Sequence, residues 1–175
     1  MSRNLLTALA AFVALTFSAA GIAAAFTSRS VRIWYPSLRK PPGNPPASYF
    51  GPVWAILYAL MTIAAWNVWR VGGGWSNATP AITVFLIQLG LNAAWSVIFF
   101  GLRAPGAALI EIILLWAAIL ANVILFWKIS VLSASLLMPY LAWVTYATYL
   151  NGGIWRLNPA ANRNQSQPAN LTRAE

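Results

Sequence analysis

Residues 105–127 read PGAALIEIILLWAAILANVILFW, a continuous apolar run that opens on a proline and carries one charge, Glu111. A bilayer core of ~30 Å takes ~20 apolar residues at a helical rise of ~1.5 Å each. The run meets that length and is far too long for a strand. Pro105 stands where a helix starts, because the first N–H of a helix has no intrahelical partner to lose. Four further apolar runs flank this one, at about 5–26, 52–71, 80–102 and 131–154, and prolines 52 and 80 again stand at expected helix starts. The chain therefore reads as an all-α integral membrane protein, a five transmembrane helix bundle over residues 1–157.

Composition agrees. Sixty per cent of the residues are hydrophobic and only 7% charged, against roughly 25% charged in a soluble domain. A chain so poor in charge cannot cover its own surface with polar groups, so its solvent is lipid. There is no cysteine, no histidine and no aspartate, and glutamate occurs only at 111 and 175. That inventory excludes disulfide frameworks, the usual zinc sites, paired-carboxylate catalysis and Ser-His-Asp triads. No metal site is expected and no catalytic residue is assigned.

The net charge of +9 points to topology and membrane lipid rather than nucleic acid, because the basic residues fall between the apolar runs. Arg29, Arg32, Arg39, Lys40, Arg103, Arg156, Arg163 and Arg173 share one side, leaving Arg3, Arg70 and Lys128 on the other. The positive-inside bias places the first loop and the C-terminus in the cytoplasm and the N-terminus outside. An odd number of spans agrees with opposite termini. A cleaved leader competes for the first run, since Arg3 precedes it and Ser18-Ala19-Ala20 imitates a cleavage site. Its 22 uncharged residues exceed the ~7–15 of a leader's apolar region, so the span reading is kept. Residues 158–175, rich in Asn, Gln, Ala and Pro, read as a polar disordered tail. No internal repeat is visible, which weakens an inverted-repeat transporter.

The first loop, 27–51, is unusual. Between Trp34 and Pro46 it packs five prolines and two aromatics into thirteen residues. Proline fixes φ and restrains the residue before it, so the loop has little freedom to lose on ordering. A stiff aromatic loop suits a lid over a pocket; it also suits a linker with interfacial aromatics.

Helical spacing brings the remaining polar and aromatic residues together. Gln88, Asn92, Trp95 and Phe99 fall on one face of the third span, and Trp54 and Tyr58 on one face of the second. Tyr140, Trp143, Ala147, Leu150 and Asn151 share a face of the fifth. Glu111, Leu115, Ala118 and Asn122 share a face of the fourth, where Glu111 lies close enough to the helix start to reach the interface or Arg103. Aromatic stripes with a few amides suit a pocket for a flat apolar ligand, and equally suit helix packing with polar residues as glue. Trp66, Trp69, Trp75, Trp127 and Trp155 lie near span ends, as an interfacial belt requires. Gly90 and Ala94 form a small-xxx-small pair, a hint of a homodimer.

At this point longer motifs emerge. Trp34-Tyr35 through Lys40-Pro41 and Asn44-Pro45-Pro46, then Phe50-Gly51-Pro52-Val53-Trp54 and Leu57-Tyr58, resemble the tryptophan-rich sensory protein / translocator protein family, also called the peripheral benzodiazepine receptor family. Leu91-Asn92 with Trp95 and Phe99-Phe100-Gly101 resemble its third-helix motif. Pro139-Tyr140-Leu141-Ala142-Trp143 and Leu150-Asn151 resemble its fifth. The resemblance covers residues 5–157.

It implies a five-helix bundle, usually dimeric, with a pocket opening towards the first loop. Its ligands would be porphyrins such as protoporphyrin IX, benzodiazepine-type and isoquinoline compounds, and in animals cholesterol. Carried over by motif, the ligand-binding residues would be Tyr35, Trp54, Tyr58, Asn92, Trp95, Trp143, Ala147 and Leu150, with no obligatory cofactor. Glu111 falls where some members carry an acid and others do not. Gly152-Gly153 follow Leu150-Asn151 where animal members carry a sterol-associated tyrosine, so the resemblance is to a bacterial-type member. Three activities are consistent with it. One is sensing by tetrapyrrole binding. A second is transport of porphyrin or lipid-like molecules. The third is light-dependent porphyrin degradation.

Overall fold

The computed structural model describes residues 3–159. Five helices long and apolar enough to cross a membrane account for most of them. They are α1 (Arg3–Ile33), α2 (Phe50–Val71), α3 (Trp75–Ser96), α4 (Pro105–Trp127) and α5 (Val131–Leu157). A π-helical turn, Val97–Gly101, extends α3, and two 3-10 turns, Tyr35–Ser37 and Ala47–Tyr49, lie in the first loop. In the bundle α1 packs on α2 and α3, α2 on α5, α3 on α4, and α4 on α5, which closes a ring in the order 1-2-5-4-3.

The ends follow local chemistry. Pro105 opens α4 in its first turn, and the Ser130 side chain accepts from the Ser133 N–H to cap α5, satisfying one of the free donors of a helix start. Between α2 and α3 the chain reverses through Gly72-Gly73-Gly74, where Gly73 and Gly74 hold φ of +74° and +81°, a region closed to most side chains.

Three expected boundaries shift. α1 continues through Thr27–Ile33 beyond the apolar run, because polarity marks where lipid ends and not where a helix ends. The first loop therefore narrows from 27–51 to Trp34–Tyr49, with Pro36 and the prolines after it blocking further helix. α3 begins at Trp75, so Pro80 is not a helix start but lies inside the helix, on its exposed side. α5 runs to Leu157, and Asn158, expected to open a disordered tail, is bonded to the first loop (below). The tail from residue 160 onward lies outside the described residues.

The core is built from small residues and a few amides. Met61, Ala64, Ala65, Ala78, Ala81, Phe85, Ala134 and Phe126 are fully buried, so the helix backbones approach closely, as membrane helices do where lipid offers no hydrophobic drive. Asn122 donates to the Ala81 carbonyl at 2.9 Å and Asn67 to Ser133 Oγ at 2.9 Å, tying α4 to α3 and α2 to α5. The outermost indoles, Trp75 and Trp127, are exposed, as an interfacial belt requires.

Candidate functional site

The first loop is closed upon itself and fastened to α5. Tyr35 is buried and donates its hydroxyl proton to Asn44 Oδ1 at 2.7 Å. Lys40 sits over the Tyr35 ring, 4.9 Å from its centroid, and donates to the Leu38 carbonyl at 3.0 Å. Burial raises the Tyr35 pKa above its ordinary value and lowers that of Lys40. The Asn44 hydrogen bond partly offsets the shift at Tyr35.

Four side-chain contacts then bind residues 39–43 along α5. Asn158 Oδ1 accepts from the Arg39 N–H at 3.0 Å, while Asn158 Nδ2 donates to the Arg39 carbonyl at 2.9 Å. The Tyr149 hydroxyl donates to the Pro42 carbonyl at 3.2 Å, and the Tyr146 hydroxyl donates to the Gly43 carbonyl. Pro41 lies directly against Gly153, where a Cβ would stand 2.6 Å from the proline Cγ. Only glycine admits that approach.

Beneath this strap lies a chamber shared by the loop, α2, the end of α3, and α5. Tyr35, Trp54, Trp95, Trp143, Ala147 and Leu150 all line it, so six of the eight residues carried over by motif meet there. Trp95 stacks on Phe99 at 5.1 Å, and its indole N–H donates to Asn151 Oδ1 at 3.1 Å. Asn151 in turn donates to the Pro105 carbonyl at 2.7 Å. This relay fixes the indole plane from α4 through α5, and an indole N–H in hydrocarbon requires such a partner. Phe50 bridges Tyr35 and Trp143, with ring centroids 5.8 Å and 6.5 Å away.

A second, larger chamber of about 290 Å³ opens between α1, α2 and α3, and it shares Phe50, Trp54, Trp95 and Phe100 with the first. Its size sits at the lower end of small-molecule pockets, ~300–1,000 Å³.

Two of the carried-over residues are placed differently. Tyr58 lines the larger chamber only. Asn92 lines neither chamber; its Oδ1 accepts from the Tyr58 hydroxyl at 2.6 Å, and its Nδ2 donates to the Tyr140 hydroxyl at 3.0 Å. Asn92 therefore ties α3 to α2 and α5 behind the aromatic wall. Glu111 is buried rather than at the interface, and neither of its carboxyl oxygens has a hydrogen-bond partner among the described residues.

Sequence reasoning missed two groups. Phe50, Phe100 and Ile154, with Asn151 and the Phe99 already placed on the face of the third span, complete the inner chamber. Of these, the π turn delivers Phe99 and Phe100, burying both of two consecutive side chains, which a 3.6-residue period does not anticipate; such turns recur at functional sites. The second group is the α1 wall, Phe17, Ala20, Ala23, Ala24 and Thr27, where one aromatic and one hydroxyl among alanines form no stripe.

The sequence that builds this lid and five-helix ring is similar to that of known proteins. The sequence profile of the TspO/MBR family matches residues 11–156. The chain belongs to the TspO/MBR family. The tryptophan-rich protein TspO of Chlorobaculum tepidum is 39% identical over 161 residues, 91% of this chain and 100% of that one. The translocator protein of Homo sapiens is 41% identical over 126 residues, 71% of this chain and 75% of its own. The tryptophan-rich sensory protein of Cereibacter sphaeroides is 36% identical over 146 residues, 82% and 90% respectively. As a TspO/MBR protein with five membrane-crossing helices, the chain is a multi-pass integral membrane protein.

Proposed function

We propose that this TspO/MBR protein binds a tetrapyrrole such as protoporphyrin IX between its two chambers and acts as a sensor of it. The observation that carries the reading is the shared wall. Trp54 and Trp95 line both chambers; Trp95 is held by Asn151, so rotating the Trp54 indole joins the spaces into one slot flanked by large aromatic faces. Aromatic burial of that kind supplies affinity for a flat macrocycle. Trp143 and Tyr35 close the slot on the loop side, and the basic residues at that end of the bundle suit the carboxylates of a porphyrin.

Two further parts of the reading rest on the sequence. The charge bias puts the lid and the C-terminus in the cytoplasm. The protein acts as a homodimer through Gly90 and Ala94; Gly90 is exposed, and a Cβ there would meet nothing within 4 Å.

The test is quenching of tryptophan fluorescence in the purified protein by protoporphyrin IX, with Trp143→Ala and Trp95→Ala beside the wild type. Saturable quenching weakened by either change supports the site. Non-saturating quenching that ignores both would mean partitioning into the micelle and would sink the proposal.

A further inference from the structure

Resting on the porphyrin reading above, we infer that the ligand reaches its site sideways from the bilayer, through the seam between α1 and α2, while the lid stays shut. The larger chamber is walled at that seam by Ala20, Ala24 and Thr27 of α1 and by Gly51 and Ala55 of α2. Ala24, Gly51 and Ala55 are exposed, whereas Tyr58, Ser96 and Phe100 on the opposite wall are buried. The chamber thus opens outward between the two helices and closes inward. Apart from the exposed Phe17 at its deeper end, side chains at the mouth are small, and a Cβ built on Gly51 would meet nothing within 4 Å, so the opening has room at its headgroup end.

Depth agrees with the chemistry. Ala20 and Ala24 belong to the uncharged run 5–26, while Thr27 and Gly51 stand where polarity begins. The mouth therefore straddles the boundary of hydrocarbon and headgroups. A flat apolar molecule with carboxylates along one edge lies at that same boundary. Ala24, Ser28 and Arg32 fall at i, i+4 and i+8 on one stripe of α1, which sets the exposed Arg32 guanidinium at the headgroup end of the mouth. A guanidinium there meets carboxylates with charge-assisted hydrogen bonds as the ring slides inward.

The lid route is obstructed by comparison. Lifting residues 39–43 breaks both Asn158–Arg39 bonds, the Tyr149–Pro42 bond and the Tyr146–Gly43 bond, and pulls Pro41 from Gly153. From the larger chamber, the inner one lies just past the shared indoles of Trp54 and Trp95, and rotating the Trp54 indole, with Trp95 left on Asn151, requires no backbone to move.

Because the chain has no cysteine, the lid can be locked cleanly. A Cβ at position 153 would stand 2.7 Å from the Pro41 Cβ, close enough that a small shift reaches the ~3.8 Å separation of a disulfide. Pro41→Cys with Gly153→Cys gives a lid locked when oxidised and free when reduced, in one protein. Association of protoporphyrin IX with proteoliposomes is followed by stopped-flow quenching, and dissociation by dilution into empty vesicles. The oxidised and reduced forms should associate at rates within about twofold, while Ala24→Phe with Ala55→Phe slows association and dissociation together by about tenfold or more. A lost contact would instead speed dissociation, which separates a blocked mouth from a damaged site. Gly51→Leu serves as the second mouth variant should the first fold poorly. Slowing of association by the locked lid, or wild-type rates in both mouth variants, overturns the inference.

If the wild type shows no saturable quenching at all, the porphyrin reading fails and the mouth is judged by lipid alone. Phosphatidylcholine brominated on its acyl chains should then quench the wild type more than Ala24→Phe with Ala55→Phe; equal quenching overturns the opening.

Discussion

Asn92→Leu separates a structural amide from a ligand contact. Asn92 is 2% exposed and spends both ends of its amide on buried tyrosines, accepting from Tyr58 at 2.6 Å and donating to Tyr140 at 3.0 Å. Leucine keeps the branched outline of asparagine and is somewhat bulkier, so the change deletes hydrogen bonds without opening a void. Interhelical hydrogen bonds in membranes average ~0.6 kcal/mol and reach ~1.7 kcal/mol, because the unfolded chain also finds partners in the bilayer. Two such bonds and two stranded hydroxyls give an expected loss of about 1–3 kcal/mol. Tyr58→Phe removes only one of the bonds and should cost about half as much. Added to Asn92→Leu, it should cost little more, leaving a coupling of about 0.6 kcal/mol or greater. Equilibrium unfolding in mixed micelles with increasing dodecyl sulfate, followed by far-ultraviolet circular dichroism, measures all four proteins. A wild-type midpoint for Asn92→Leu, or strictly additive single changes, would refute the assignment of Asn92 to the wall that positions Trp54 and Trp95.

Single changes test the strap, the lid and the dimer. Gly153→Val places side-chain atoms into Pro41 and should free the lid, raising the rate of limited proteolysis within residues 39–44 while helix content is unchanged; wild-type cleavage would contradict the strap. The raised Tyr35 pKa has a definite sign: its proton is held more tightly in the closed lid than in the open one. Tyr35 therefore leaves lid closure constant through neutral pH and weakens it only above about 10, the ordinary tyrosine value, whereas Lys40, whose pKa burial lowers, favours closure as it loses its proton below its own ordinary value; Tyr35→Phe should abolish the weakening above pH ~10, and a weakening that survives that change would argue against the role of Tyr35. Gly90→Leu should convert a dimer to a monomer by light scattering in detergent, and an unchanged mass would remove Gly90 from the interface.

How much of this was legible in the chain depended on which physical signal carried it. The five spans were, because lipid demands length and apolarity and both are written along the sequence. Helix ends were less so, since Thr27–Ile33 is polar enough to leave the membrane yet still helical, and Pro80 is accommodated inside α3. Trp54, Trp95, Trp143 and Leu150 were placed by period and motif because each stands on a regular helix. Asn92 shared their face, but the face alone does not say whether an amide looks into a cavity or is already held by two tyrosines. Phe100 was lost to the π turn, which breaks the period. The α1 wall was silent, because alanines that shape an opening look the same as alanines that pack. The strap by Tyr146, Tyr149, Gly153 and Asn158 joins residues more than a hundred positions apart from their partners, and no local pattern announces it.

The proposed function stands or falls on whether the ligand sits in the aromatic slot beneath the lid. A structure of the protein with protoporphyrin IX, at a ligand concentration that just saturates fluorescence quenching, tests it most directly. The macrocycle is expected between Trp54, Trp95 and Trp143, with the Tyr35–Asn44 bond intact above it. Density confined to the outer lipid-facing surface, with both chambers unchanged, would contradict it.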